Sequence, residues 1–175
     1  MSDLHLRPIE PEDVATIAAF LAHPSLDGRR GLDRERTNQS SASLTKAIEG
    51  MIEPELGATW VAEADGVVGV VRADWWWDAL SPWIHVVIDP QHQRQGHGTG
   101  AVRQALDHLF LNTPAMVIQG GVPSWDEAGL AFAAALGALE VGRKRRAGVR
   151  DGVYFDQVEF VVQRVDWEGD RAARR

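Results

Sequence analysis

Cysteine is absent from the sequence. The chain therefore has no disulfide framework and no thiol nucleophile. Apolar runs of the roughly 20 residues that a bilayer span requires are absent too. Its first residues show no basic start followed by an apolar core, so nothing there resembles a signal peptide. A cytoplasmic address is expected by elimination. Positive charge is in deficit, with 18 Lys and Arg against 25 Asp and Glu and a net charge of −7. That balance argues against a protein built to coat nucleic acid or an anionic membrane, and it remains compatible with a small cationic partner. His5, His23, His92 and His108 show no ligand spacing and no His pair at helical offset around a glutamate, so no metal is expected. Repeats and low-complexity segments are lacking.

The 175 residues, 45% hydrophobic and 25% charged, suffice for one hydrophobic core and are few for two. A single domain over residues 1–167 is expected, with a fraying tail at 168–175. Apolar spacing switches repeatedly between period two and period 3.6, which predicts an α/β or α+β domain. Strands are predicted at 4–7, 59–63, 67–76, 83–88, 116–119, 138–145 and 153–164. Helices are predicted to start within 8–13, with Val14, Ile17, Ala18 and Leu21 as a buried stripe, and at 43–51, 98–111 and 124–136. Residues 24–39 read as an exposed loop, Ala64-Asp65-Gly66 as a hairpin turn, and Ser124 or Asp126 as a helix cap.

Between the strand at 83–88 and the helix at 98–111 lies Asp89-Pro90-Gln91-His92-Gln93-Arg94-Gln95-Gly96-His97-Gly98-Thr99-Gly100-Ala101. A triphosphate-cradling loop needs Lys and then Ser or Thr after its last glycine, and Ala101-Val102 stands there instead. The loose dinucleotide pattern is met by Gly96 to Ala101, but in that fold the glycines directly follow the first strand and an acid ends the second. Here the polar residues 89–95 intervene, and Gly120-Gly121 occupies the place of the acid. Bare N–H groups at a helix N-terminus form an anion site, and glycine both uncovers them and permits positive φ. Gln93, Arg94, Gln95 and Thr99 add side-chain donors, Arg94 supplies charge, and His97 either joins them or faces solvent. The alternative is a glycine-rich connection that only permits a tight turn.

An apolar strand, Pro90, a polar arm and Gln93-x-x-Gly96-x-Gly98 opening a helix together resemble the acetyl-CoA loop of the GNAT family of N-acetyltransferases. Val61-Ala62-Glu63 with Gly66 and Val68-Gly69 is similar to that family's second and third strands. Leu136-Gly137-Ala138-Leu139-Glu140-Val141-Gly142 resembles the stretch after its fourth helix, and Gly152 to Val158 the last strand of the subgroup related to ribosomal-protein and antibiotic acetyltransferases. The resemblance spans about residues 4–163. It implies a GNAT fold with a mixed sheet of about seven strands and about four helices, and acetyl-CoA as co-substrate. Cofactor binding would fall to Val86, Val87, Ile88, Gln93, Arg94, Gln95, Gly96, His97, Gly98, Thr99, Gly100 and Asp126. The reaction implied is direct transfer to a primary amine, on a small molecule or a protein N-terminus. A homodimer is expected because relatives commonly form one. The alternative function is a non-catalytic acyl-CoA-binding or regulatory protein.

That alternative is motivated by departures from the family pattern. Ala133 stands where many relatives carry the tyrosine that protonates the departing sulfur, and Trp83 where they place an acid. Asp126 replaces an asparagine that bonds the pantetheine. His85 shares a strand face with Trp83 and Val87 by alternation, and an ordinary imidazole pKa of about 6.5 makes it the candidate base; the competing role is a strand histidine that only packs. Tyr154, the only tyrosine, is a candidate near the sulfur or an ordinary packing residue. Trp75, Trp76 and Trp77, flanked by Asp74 and Asp78, serve packing, an interface, or the wall of a cation-accepting pocket. Arg143-Lys144-Arg145-Arg146 reads as a solvated strand end, with an acidic partner or the adenosine 3′-phosphate as the other options.

Overall fold

A computed structural model describes residues 4–29, 40–75 and 78–173. Trp76, Trp77 and most of the expected loop, residues 30–39, lie outside the described residues. The chain forms two compact units, Met1–Asp74 with His85–Ala105, and Trp75–Ile84 with Leu106–Arg175.

In the first unit the β-branched and aromatic residues form an antiparallel meander. Strand β1 (His5–Pro8) pairs with β2 (Gly57–Ala64), Leu6 opposite Ala62, and β2 pairs with β3 (Gly66–Asp74), Val61 opposite Val70. Only Asp65 separates β2 from β3, and Gly66 takes φ +113° to make the turn. β3 stops at Asp74, before the tryptophan run that the sequence pattern had carried it into. Gly69 lets the fourth strand, β4 (Trp83–Ile88), come close, because a Cβ there would lie 2.6 Å from the Val87 carbonyl oxygen. A 3₁₀ turn at Pro11–Asp13 leads into α1 (Val14–Leu21), and Ser40 caps α2 (Ser41–Glu49) by accepting from the Ser43 N–H. Ile17, Leu21, Leu44 and Ile48 from these helices pack with Val61, Val70 and Val87. Each such side chain contributes roughly 1.5–3 kcal/mol on burial. Arg7 grips Asp13 through two 2.7 Å bonds and also bonds Glu63. The guanidinium holds the Asp13 carboxyl below the usual carboxylate range.

In the second unit, β5 (Val117–Pro123) and β6 (Leu139–Arg150) both pair antiparallel with β7 (Val153–Gln163). Asp151 and Gly152 turn the β6–β7 hairpin with φ of 51° and 77°. β4 runs parallel to β5, Trp83 opposite Gln119. The strand order is β1-β2-β3-β4 in the first unit and β5-β7-β6 in the second, and the parallel β4–β5 pairing beside antiparallel pairs makes the mixed sheet that the family resemblance implies. Helix α3 (His97–Asn112) buries Ala101, Val102, Ala105, Leu106, Leu109 and Phe110 along one stripe. Helix α4 (Glu127–Ala135) starts later than expected, at Glu127, because Asp126 and not Ser124 caps it.

The tail contradicts its expectation: α5 (Arg164–Ala173) is helical where fraying was predicted. Trp167 anchors it, buried 5.1 Å from the Phe110 ring and donating to Asp107 at 2.8 Å. Arg164 donates to the carbonyls of Phe110, Thr113 and Ala115 at the end of α3. Among the described residues no helix is long and apolar enough to cross a membrane.

Candidate active site

The polar arm after β4 braces itself. The Asp89 N–H donates to the Val68 carbonyl at 2.9 Å, and the Asp89 carboxylate accepts from the Gln91 N–H at 2.9 Å, folding Pro90–His92 into one 3₁₀ turn. Gln93 Nε2 donates back to the Ile88 carbonyl at 3.0 Å, and Gln95 Nε2 to the Gln91 carbonyl at 3.3 Å. Both glutamine side chains, expected to hold phosphate, are thus engaged in shaping the loop, and the Ile88 carbonyl already carries one donor. Arg94 adopts φ 60° and Gly96 φ 87°. The first costs about 1 kcal/mol for a residue with a Cβ, and the second nothing for glycine. Arg94 is exposed and makes no ion pair with any described residue, so its charge is uncommitted.

Helix α3 begins at His97, and its first internal bond runs from the Gly100 N–H to the Gly96 carbonyl at 3.0 Å. The N–H groups of His97, Gly98 and Thr99 precede that bond and have no acceptor among the described residues. No acid lies in the first turn, so the positive end of the helix dipole is uncancelled. Gly100 is a correction: its N–H is already bonded within the helix, and its missing Cβ serves packing, since a Cβ would lie 2.8 Å from Leu4 Cδ2. Gln104 ties the same stretch of α3 to β1, bonding the Leu4 carbonyl and the Leu6 N–H at 2.7 and 3.0 Å. The His97 ring stands edge-on to His92, centroids 6.4 Å apart.

On β4, Val87 points into the core, while His85, Val86 and Ile88 are half-buried. His85 Nε2 lies 3.6 Å from Asp74 Oδ2, and the same oxygen accepts from Arg72 Nε at 2.9 Å. An acid absent from position 83 is therefore present beside His85, brought by the last residue of β3. Sequence reading missed Asp74 because strand pairing is not local. The one available signal was the spacing of two in Arg72-Ala73-Asp74, which puts both side chains on one face of a strand.

In the second unit Asp126, expected to bond the cofactor, is a buried helix cap whose Oδ1 accepts from the Gly129 N–H at 3.1 Å. Ala133 is buried in α4. Tyr154 lies beside the hairpin turn, opposite Val149, 63% exposed, with the Arg146 guanidinium 5.5 Å from its ring centre. Arg143 pairs with Glu140 at 2.7 Å and holds that carboxyl low, while the exposed Arg145 reaches Asp156 at 3.9 Å. Trp75 lines a cavity of about 240 Å³ with Ala79, Pro82, Asn112, Thr113 and Pro114.

The model of the acetyltransferase (GNAT) domain family matches residues 3–146. No curated protein sequence matches the chain. Among solved structures, a chimera of the spermidine N-acetyltransferase SpeG from Vibrio cholerae and hSSAT superimposes with TM-score 0.81 at 19% identity, covering 95% of this chain and 99% of that one. The Vibrio cholerae spermidine N-acetyltransferase in complex with CoA and spermine gives TM-score 0.81 at 18% identity, covering 94% of this chain and 98% of that one. At these identities the likeness is one of fold.

Proposed function

The chain belongs to the GNAT acetyltransferase family, and from that premise we propose that it moves the acetyl group of acetyl-CoA to a primary amine of a small molecule, polyamines being the first class to test. The observation that carries this reading is the open start of α3: three consecutive N–H groups without acceptors among the described residues, no acid in the first turn, and Arg94 beside them with no ion pair to any described residue. These amides and Arg94 would hold the pyrophosphate of acetyl-CoA. The main chain of Val86, Val87 and Ile88 would align its pantetheine arm. His85 takes a proton from the amine as the new N–C bond forms and the C–S bond breaks, and the sulfur leaves as a thiolate that draws its proton from solvent. Positioning supplies much of the acceleration, and a base adds about 10²–10⁴-fold. Asp126 and Tyr154 have no part in this scheme. The net charge of −7 suits a cationic acceptor, as do the spermine and spermidine of the structural relatives.

The test is a panel of polyamines, aminoglycosides, amino acids and N-terminal peptides mixed with acetyl-CoA, following thiol release and the mass gain of one acetyl group. Polyamines are expected to be acetylated, and His85→Ala to lower kcat/KM by about 10²–10⁴ at neutral pH. Heat stabilisation by acetyl-CoA with no turnover on any amine would establish the non-catalytic alternative.

A further inference from the structure

We propose that Asp74 is a positioning residue for acetyl transfer, held by Arg72 and acting through His85. The inference rests on the reading of His85 as the base. Three side chains stand in series: Arg72 Nε is 2.9 Å from Asp74 Oδ2, and that oxygen is 3.6 Å from His85 Nε2. Arg72 is almost completely buried, 8% exposed. A buried guanidinium needs a carboxylate, and Asp74 supplies one two residues along the same strand face. The pairing fixes the direction of the carboxylate, so that its Oδ2 also faces the imidazole.

The consequence for His85 follows from charge and tautomer. A carboxylate at Nε2 favours the ring form with hydrogen on Nε2 and the lone pair on Nδ1, the nitrogen that would then accept the amine proton. As that proton arrives the ring becomes cationic, and the carboxylate stabilises it; the proton remains on His85 and Asp74 stays ionised. At 3.6 Å the contact is longer than a hydrogen bond, and catalytic contacts of this kind tighten when substrate binds. The neighbours of His85 on its own strand face, Trp83 and Val87, do not titrate, and from β3 Asp74 faces it with Arg72 behind.

The experiment is a double-mutant cycle with full pH profiles on the best acceptor: wild type, Asp74→Asn, Asp74→Glu, His85→Ala and the His85→Ala/Asp74→Asn pair. Asp74→Asn is expected to lower kcat by ~10–100-fold with the amine KM changed by less than about threefold, and to move the acidic limb of kcat/KM to lower pH. Asp74→Glu should recover part of the loss. In the His85→Ala background, Asp74→Asn should cost nothing further. An unmoved acidic limb, or an equal loss with and without His85, overturns the proposal and leaves Asp74 a structural partner of Arg72. Unchanged kcat/KM for His85→Ala alone overturns the base assignment itself, a result separable from the first because it needs no change at position 74. Should Asp74→Asn not fold, the ring titration of His85 followed by NMR in wild type and Asp74→Glu reads the same contact: different midpoints support it, and equal midpoints overturn it.

Discussion

Helices α3 and α4 begin in opposite ways. At the start of α4 the carboxylate of Asp126 accepts from the Gly129 N–H and Glu127 adds a second acid in the first turn. At the start of α3 a glycine stands before the first turn, no acid follows, and the N–H groups of His97, Gly98 and Thr99 point out without acceptors among the described residues. Ser40 closes α2, and Asp13 bonds the Glu10 N–H at the turn that leads into α1. An omitted cap costs about 1 kcal/mol. Of these four starts only that of α3 lacks a side-chain bond, and such a start is the kind that an anion from outside can complete. A carboxylate at a helix start takes one amide and repels a phosphate from the rest; an open start is completed by the phosphate.

The most direct way to break this comparison is to give α3 the start that α4 has. Gly96→Asp puts a carboxylate at the cap position, and aspartate tolerates the φ of 87° better than most residues. The affinity for acetyl-CoA, measured by calorimetry, should fall by about 100-fold, or ~2.7 kcal/mol, while the unliganded protein keeps its melting temperature or gains. Gly96→Ala isolates the backbone term: it should lower folding stability by ~1–2 kcal/mol of strain and leave acetyl-CoA affinity within about threefold of wild type. Equal acetyl-CoA affinity in Gly96→Asp and wild type would show that the open amides hold nothing.

The open start was legible in the sequence because a site made from main chain needs its glycines next to one another along the chain. Positions 93, 96 and 98 carry the whole pattern, and the structure adds the distinction that Gly100 packs against Leu4 while Gln93 and Gln95 brace the loop. The first hairpin was legible for a similar reason, since the period-two runs on either side of Ala64-Asp65-Gly66 pair with each other. Asp74 was not legible, because only the pairing of two strands brings position 74 to position 85. Nor was α5: its charged end reads as tail, and the packing of Trp167 on Phe110 joins residues far apart in the chain. Asp126 carried two readings, cap and cofactor partner, and the geometry shows the cap bond.

The turn before α1 sharpens the comparison through pH. Asp13, 4% exposed, closes that turn and also receives Arg7, which holds its pKa below the ordinary 3.8. A carboxylate with a depressed folded pKa contributes stability that is present above its unfolded value and lost as the pH falls through the folded one. Asp13→Asn should therefore destabilise the protein by about 2 kcal/mol at pH ~7 in urea unfolding, and the gap to wild type should close as the pH falls below ~4. A gap of the same size at both ends would mean that the Asp13 charge does not enter the helix start at all.

The smallest effect is expected where the comparison is most easily inverted, at Asp126. Replacing it with alanine removes the cap of α4 and should lower stability by about 1 kcal/mol, or roughly 2–4 °C in melting temperature for a chain of this size. Asp126→Ser, which restores an N-cap oxygen, should recover most of that loss. Acetyl-CoA affinity should stay within about twofold of wild type in both variants, because this carboxylate already accepts from Gly129 and closes its own helix. The opposite pattern, an unchanged melting temperature with weakened acetyl-CoA binding, would make Asp126 a ligand for the cofactor, and the two helix starts would then differ in which side chain completes the site and not in whether one is left open.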